Sequence, residues 1–346
     1  MGLRPKKSKM SKYDFTAVLI VPTGVGASIG GYAGDASSVV NLISKVCPVI
    51  TNPNTVNAAA FSGINENILY TEGFAIDSFF KREIALRPPK HNKIGVIFDK
   101  SIPKPVLNVH INTMNAVKTV YGIDTSDWIQ TEKEVGVEFS ISDSGISTGN
   151  IKNPDTLINA AKSLVDKGSE ALAVVCYFEE PEDTEYSQGI GVDPVGGVEA
   201  VISHILTREF KIPVAHAPAF GESCLKIQTE IVDPRAAAEY ITPTFLPCIL
   251  LGLHNAPKLI DIKEANQDDI TLNSIKALIM PYNCLGSIPV LKAIENNIPV
   301  LAVKENKTIL HITAKSLNIE NKVIEVKNYS EAVEYLHTLK EYISKQ

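Results

Sequence analysis

Apolar residues along this chain come in two forms that alternate, unbroken runs of four to six and stripes at helical spacing. The first run, Ala17-Val-Leu-Ile-Val21, lacks polar alternation, which predicts a strand covered on both faces, as in a parallel sheet. A glycine-rich stretch follows, then Asp35 as a helix cap and Val39, Val40, Ile43 and Val46 on one helical face, then a return through Pro48-Val-Ile-Thr51. The same strand-loop-helix-strand pattern recurs three times. Asn153 caps and Pro154 opens a helix with Leu157, Ala160, Ala161, Leu164 and Val165 inward; Gly168 ends it, and the strand Ala171-Leu-Ala-Val-Val-Cys176 follows. Asp193-Pro-Val-Gly-Gly197 leads into a helix with Val198, Val201, Ile202, Ile205 and Leu206 and a strand Ile212-Pro-Val-Ala215. Last come strand Ala277-Leu-Ile-Met280, turn Tyr282 to Ser287, helix Ile288 to Glu295, strand Pro299 to Val303, and a terminal helix capped by Ser330 with Val333, Leu336, Leu339 and Ile343 on one face.

Strands and helices alternating at this length predict an α/β, Rossmann-like fold of mostly parallel sheet covered by helices, and leave open two lobes with a cleft between them. Adjacent prolines and polar residues at Arg87-Pro-Pro-Lys-His-Asn92 punctuate the chain just before a fresh strand, Ile94-Gly-Val-Ile-Phe98. The expected division is a basic disordered tail over 1–12, an N-terminal α/β unit over 13–90 and a larger α/β region over 91–346. Between Asp124 and Asn150 periodicity is poor and Gly, Ser, Asp and Thr are frequent, which predicts a loop-rich connector or a lid.

Composition narrows the function. The 346 residues are 45% hydrophobic and 21% charged with a formal charge of -6, an ordinary globular balance. Lysine and arginine are scattered and outnumbered, apart from Arg4, Lys6, Lys7, Lys9 and Lys12, so nucleic acid is not an expected partner. No apolar run approaches the roughly 20 residues that span a bilayer, and the early basic run precedes no apolar signal core, so neither membrane nor secretion is expected. Five cysteines without a C-x-x-C pair suit neither a disulfide framework nor zinc and point to a reducing, cytoplasmic setting. Self-association is left open, and no cofactor is indicated.

Candidate chemistry lies in the turns after the strands. Thr23, Gly24, Gly26, Gly30 and Gly31 follow the first buried strand, where α/β proteins place binding loops and where free amides attract phosphate or carboxylate. The spacing is G-x-G-x-x-x-G, and no Gly-Lys-Ser/Thr follows, so two readings stand: an anion or nucleotide site, or a tight turn with close packing. Asp193, Gly196 and Gly197 form a second such turn, in which Asp193 binds a ligand or caps the helix. Asn52, Asn54 and Glu72 follow further apolar runs and would line the same cleft, or serve as plain turn residues. His204 lies on the helix after the Asp193 turn and His216 at the next strand's carboxyl end, a position suited to acid-base work. Cys176 and Cys284 each end a strand, and Cys284 sits with Asn283, Gly286 and Ser287 at a helix start, which favours a thiolate.

The approach Leu157 to Cys176 and the segment Ala277 to Val303 resemble the strand-cysteine segments of aspartate/glutamate racemases, in which one thiolate removes a proton and a second thiol returns one on the opposite face. The resemblance implies that chemistry for Cys176 and Cys284, although Cys176-Tyr-Phe and Cys284-Leu-Gly stand where that family has Cys-Asn-Thr and Cys-Thr-His. A wider similarity runs from Phe15 to Thr308. It is carried by Pro22 to Asp35, Asn52 to Ala58, Gly191 to His204, His216-Ala-Pro-Ala219, Pro234 to Glu239 and Phe245 to Leu253. These stretches resemble the domain of unknown function 3326, which implies a shared architecture and no assigned reaction. The expectation is an enzyme acting on a small anionic metabolite by thiol or acid-base chemistry, racemase/isomerase-like or lyase-like; the alternative is a non-catalytic protein that binds a nucleotide or metabolite.

Overall fold

The computed structural model describes residues 11–32, 35–52, 64–88, 91–125, 127–179, 185–226, 231–237 and 242–345. Two parallel sheets organise them. The first has six strands in the order β14-β13-β12-β1-β2-β3: β1 (Thr16–Leu19), β2 (Val49–Thr51), β3 (Ile68–Tyr70), β12 (Ile275–Pro281), β13 (Val300–Val303) and β14 (Val323–Val326). The second has four in the order β10-β9-β5-β6: β5 (Ile94–Phe98), β6 (Trp128–Gln130), β9 (Ala171–Tyr177) and β10 (Val214–Ala219). The apolar runs of the inner strands β1, β2, β5, β9, β12 and β13 are buried on both faces, as expected of parallel strands packed between helices, whereas the edge strands β6 and β14 leave Trp128 and Ile324 exposed.

The first sheet is laid down from its middle. From β1 the chain builds β2 and β3 to one side; much later β12, β13 and β14 extend it on the other, so the strand order reverses between β1 and β12. The helices beside these strands are α1 (Ser37–Ser44), α2 (Gly73–Phe80), α7 (Ile288–Glu295) and α8 (Tyr329–Ser344). Beside the second sheet lie α3 (Lys104–Tyr121), α4 (Pro154–Asp166) and α5 (Gly196–Phe210). Helix α6 (Leu246–His254) packs against strands of both sheets and buries Leu246, Cys248, Ile249, Leu250 and Leu253 in a core shared by them. The Tyr70 hydroxyl at the end of β3 donates to the carbonyl of Val214 in β10 at 2.8 Å, joining the facing edges of the two sheets.

Several local expectations change. Asp35 does not cap α1; its Oδ1 accepts from Gly30 N (2.7 Å) and Tyr32 N (3.4 Å), closing the glycine-rich stretch on itself. Asn328 rather than Ser330 caps α8, accepting from Glu331 N at 2.9 Å. The stretch expected as a loop-rich connector holds β6 and an antiparallel hairpin, β7 (Val137–Ile141) with β8 (Ser147–Ile151). Its alternating Val137-Glu-Phe-Ser-Ile141 is a half-exposed strand, weak in total apolarity because only one face meets α5. A second ribbon pairs β4 (Ile84–Arg87) with β11 (Lys258–Asp261). Beyond the proline pair, Asn92 is 1% exposed and donates to the carbonyls of Leu253 and Ala256 at 2.8 Å, so it anchors the end of α6. Because β12 to β14 complete the sheet begun by β1, the division expected near residue 90 does not separate one sheet from the other.

Candidate functional site at the strand-order reversal

In an open α/β sheet, the loops at the carboxyl ends of the two strands flanking a reversal diverge to opposite faces, which leaves a crevice between them. Here β1 and β12 flank it, and Ile20 N continues their pairing by donating to Ile279 O at 3.0 Å. A cavity of about 480 Å³ opens at this point. Ile20, Pro22 and Thr23 reach it from β1, Asn52 from β2, Glu72, Gly73, Ile76 and Asp77 from β3 and α2, and Met280, Ser287 and Pro289 from β12 and α7. Ala200, Val201, Ser203 and His204 of α5 and His216 of β10 close the far side. The walls are mainly apolar, with a few polar groups, a composition typical of small-molecule sites.

Each polar group is held by identifiable contacts. The Asn52 side chain accepts from Val21 N (3.0 Å) and donates to Val21 O (2.6 Å), extending the β1–β2 ladder by one residue. Glu72 is 4% exposed and caps α2, its Oε2 accepting from Phe74 N at 2.7 Å. Its other oxygen lies 3.7 Å from His204 Nδ1. That carboxylate raises the His204 pKa above the ordinary imidazole value, against partial burial. The His204 ring stands edge-on to Phe74, with centroids 5.1 Å apart, and keeps 47% of its side chain exposed at the rim. Burial, with a contribution from the neighbouring Glu72 charge, raises the Asp77 carboxyl as well.

His216 is gripped from α5. Its Nδ1 lies 3.0 Å from Ser203 Oγ and its Nε2 3.6 Å from Glu199 Oε2, the two partners standing one helical turn apart. Burial lowers its pKa to about 3, so the ring is neutral at physiological pH.

The residues singled out in the sequence divide. Thr23, His216 and Ser287 line the cavity, together with Asn52, Glu72 and His204. Gly24, Asp193, Gly196 and Gly197 do not line it and stand next to Thr23, whose Cγ2 a Cβ at Gly196 would meet. Ser147 of the hairpin joins them, its N–H donating to Gly24 O (3.0 Å) and its Oγ to Pro194 O (3.0 Å). Gly24 has φ +69°, and a side chain there would press on Ser147; one at Gly197 would run into the Ser147 carbonyl. Asp193 caps, its Oδ1 accepting from Val195 N (3.0 Å) and Gly196 N (3.1 Å). Gly26, Gly30 and Gly31 are backed by Ile309, Val21 and Ala27 and do not line the cavity, so packing and turn geometry account for these glycines. Asn54 lies outside the described residues.

The thiols need correction. Cys176 is 2% exposed and Cys284 4% exposed, each inside an apolar cluster, and neither lines the cavity. Burial raises the Cys176 thiol well above its usual value and pushes Cys284 up to about 12. Cys284 Sγ donates to Pro281 O at 3.4 Å, while Asn283 braces the backbone at Thr308 and Leu310, so the polar turn expected to activate the thiol serves a neighbouring loop. Two protonated thiols in separate cores cannot face each other across a substrate. Sequence reasoning also missed Ser203, Glu199 and Asp77. Glu199 and Ser203 share the inward face of α5 with Val198, Ile202 and Leu206, and polar residues amid an apolar stripe were the available signal.

The comparisons agree with the family resemblance and add no reaction. An uncharacterized lipoprotein of Synechococcus sp. is 37% identical over 334 residues, covering 94% of this chain and 91% of its own length. No solved structure matches the chain. The family model described as protein of unknown function (DUF3326) matches residues 16–346, and the chain belongs to that family.

Proposed function

We propose that this protein is an enzyme that binds a small polar metabolite in the cavity at the β1/β12 reversal and moves a proton with the His204–Glu72 pair. The observation that carries the reading is the cavity itself: it gathers the carboxyl ends of β1, β2, β3 and β12 around a histidine whose buried carboxylate partner favours its charged form. A histidine at the rim whose carboxylate partner favours its charged form can give and take a proton in one turnover, a contribution of about 100-fold or more in rate. Glu72 and Asp77 line the cavity, and among the described residues no lysine or arginine does. The ligand in this reading is therefore neutral or cationic rather than the anion first expected. Acid-base chemistry stays in the proposal, of isomerase or lyase type, and thiol chemistry leaves it.

Gly73 gives a clean test. Gly73 lines the cavity and a Cβ built there meets nothing within 4 Å, so Gly73→Leu is expected to add bulk at the cavity without a clash at its Cβ. Metabolites that raise the melting temperature of the wild type are expected to lose that effect in Gly73→Leu. Turnover of any of them should fall at least about 100-fold in His204→Asn, with binding retained. If wild type and Gly73→Leu respond alike to every metabolite, the cavity is not the binding site. A ligand that binds there without being consumed would favour the non-catalytic alternative.

The four described thiols that are free and buried suit a cytoplasmic setting, which the proposal adopts. The relative named a lipoprotein makes membrane attachment the competing expectation. Among the described residues no helix is long and apolar enough to cross a membrane. Recovery of the protein in the membrane fraction after cell lysis would decide for attachment.

A further inference from the structure

Ser203, His216 and Glu199 form a linear array: a hydroxyl 3.0 Å from one ring nitrogen, and a carboxylate oxygen 3.6 Å from the other. Ser203 and His216 are 1% and 7% exposed but, unlike the buried thiols, line the cavity; Glu199, 5% exposed, does not line it. Nothing in the acid-base reading uses this array, although that reading supplies the cavity and this inference rests on it. We propose that Ser203 is a nucleophile activated by His216 and oriented through Glu199, and that the cavity takes a small neutral or cationic carboxylic ester.

The roles follow from position. Glu199 and Ser203 are four residues apart on α5, so one helix face presents acid and nucleophile to the two edges of a single imidazole. In the tautomer protonated at Nε2, that N–H points at Glu199, and the Nδ1 lone pair accepts from the serine hydroxyl. The hydroxyl is also 3.4 Å from Glu199 O and 3.3 Å from Ala200 O, so its proton is shared between the helix carbonyls and the ring. The neutral ring is the form a base requires, although the burial that keeps it neutral also weakens it as a base. Glu199 stands where it would orient the ring and face the imidazolium as it forms. Gly73, the first residue of α2, and Ser287, at the N-cap position of α7, both line the cavity; the Glu72 carboxylate already takes the Phe74 amide at the α2 start, which leaves the α7 start as the candidate donor to an oxyanion.

The chemistry balances with water as the second substrate. Ser203 Oγ bonds to the ester carbonyl carbon as its proton passes to His216 Nδ1. The carbonyl re-forms, the carbon–oxygen bond to the alcohol breaks, and the alcohol leaves with the Nδ1 proton. Water then attacks the acyl-serine, passes one proton to Nδ1, and the acid departs as Ser203 Oγ takes that proton back.

A fluorophosphonate probe tests the nucleophile without knowledge of the substrate, because attack by an activated serine displaces fluoride and leaves a stable adduct. On the full-length wild-type protein we expect one adduct, mapped by mass spectrometry to Ser203. We expect none in Ser203→Ala, and labelling slowed at least about 10-fold in His216→Asn and in Glu199→Gln, with circular dichroism showing each variant folded. No adduct on Ser203 in the folded wild type overturns the proposal, as does undiminished labelling in a folded His216→Asn. A metabolite whose thermal shift depends on the Gly73 surface while Ser203 resists the probe would leave the binding cavity standing and remove the nucleophile alone.

Discussion

At the scale of single residues, burial decides which candidate side chains can do chemistry. His216 and His204 lie on neighbouring elements and are driven in opposite directions, the first lowered to about 3 by desolvation and the second raised by Glu72. The consequences for stability have opposite signs. An unfolded chain protonates residue 216 near pH 6.5, whereas the folded one resists until far lower, so stability is full above pH 6.5 and falls as pH drops towards 3. His204 stabilises the fold below pH 6.5, and that contribution is lost as pH rises through its raised folded value; with half its surface in solvent, the effect is small. The groups facing His216 are Ser203 and Glu199. Urea unfolding at pH 6 and pH 5 should therefore show a drop in wild-type stability on the order of 1 kcal/mol that His216→Gln largely lacks. Equal slopes would mean the ring is not buried neutral. The thiols follow the same logic: native protein at pH 7.5 should leave Cys176 and Cys284 unalkylated by iodoacetamide, and both should react once it is unfolded.

At the scale of elements, the hairpin β7–β8 sets where the binding loops stand. Ser147 ties the loop after β1 to the start of α5, and Gly197 lets the α5 backbone come against it. A methyl at Gly197 must displace backbone, while one at Gly73 enters open space. Gly197→Ala is thus expected to cost roughly 2 kcal/mol in chemical denaturation, and Gly73→Ala less than about 0.5 kcal/mol. Comparable losses at the two positions would contradict the close approach. The rhythm of apolar runs and helical stripes identified the four strand-helix units, because burial on both faces leaves a continuous apolar signal. The hairpin escaped because a strand covered on one face by a single helix needs few apolar residues. Helix α2 escaped because its eight residues, Gly73-Phe-Ala-Ile-Asp-Ser-Phe-Phe80, are apolar on most sides and show little periodicity.

At the scale of the whole molecule, the first sheet depends on strands more than 200 residues apart, β1 pairing directly with β12. Residues 13–90 hold only β1 to β3 of its six strands, with the β12 side of β1 uncovered, besides β4, whose partner β11 lies far along the chain. A fragment comprising 13–90 is therefore expected to be unfolded by circular dichroism and to aggregate, since an unpaired central strand exposes both apolar surface and ladder groups. A cooperatively folded fragment would show that the returning strands are dispensable. The long separation also predicts slow folding, because loop closure must precede the pairing that rewards it.

The sequence by itself determined the fold class, the order of most elements, family membership and part of the cavity lining: Thr23, Asn52, Glu72, His204, His216 and Ser287 all stood out as polar residues after strands or on the following helix. These features are local, set by alternation, spacing and the residues that follow a strand. Only the tertiary structure decided that β12 sits beside β1, that Glu199 and Ser203 close on His216, and that the thiols of Cys176 and Cys284 are sealed away. Those facts depend on which distant surfaces exclude water from each other, and side-chain reactivity follows that exclusion, which no local pattern in the chain records.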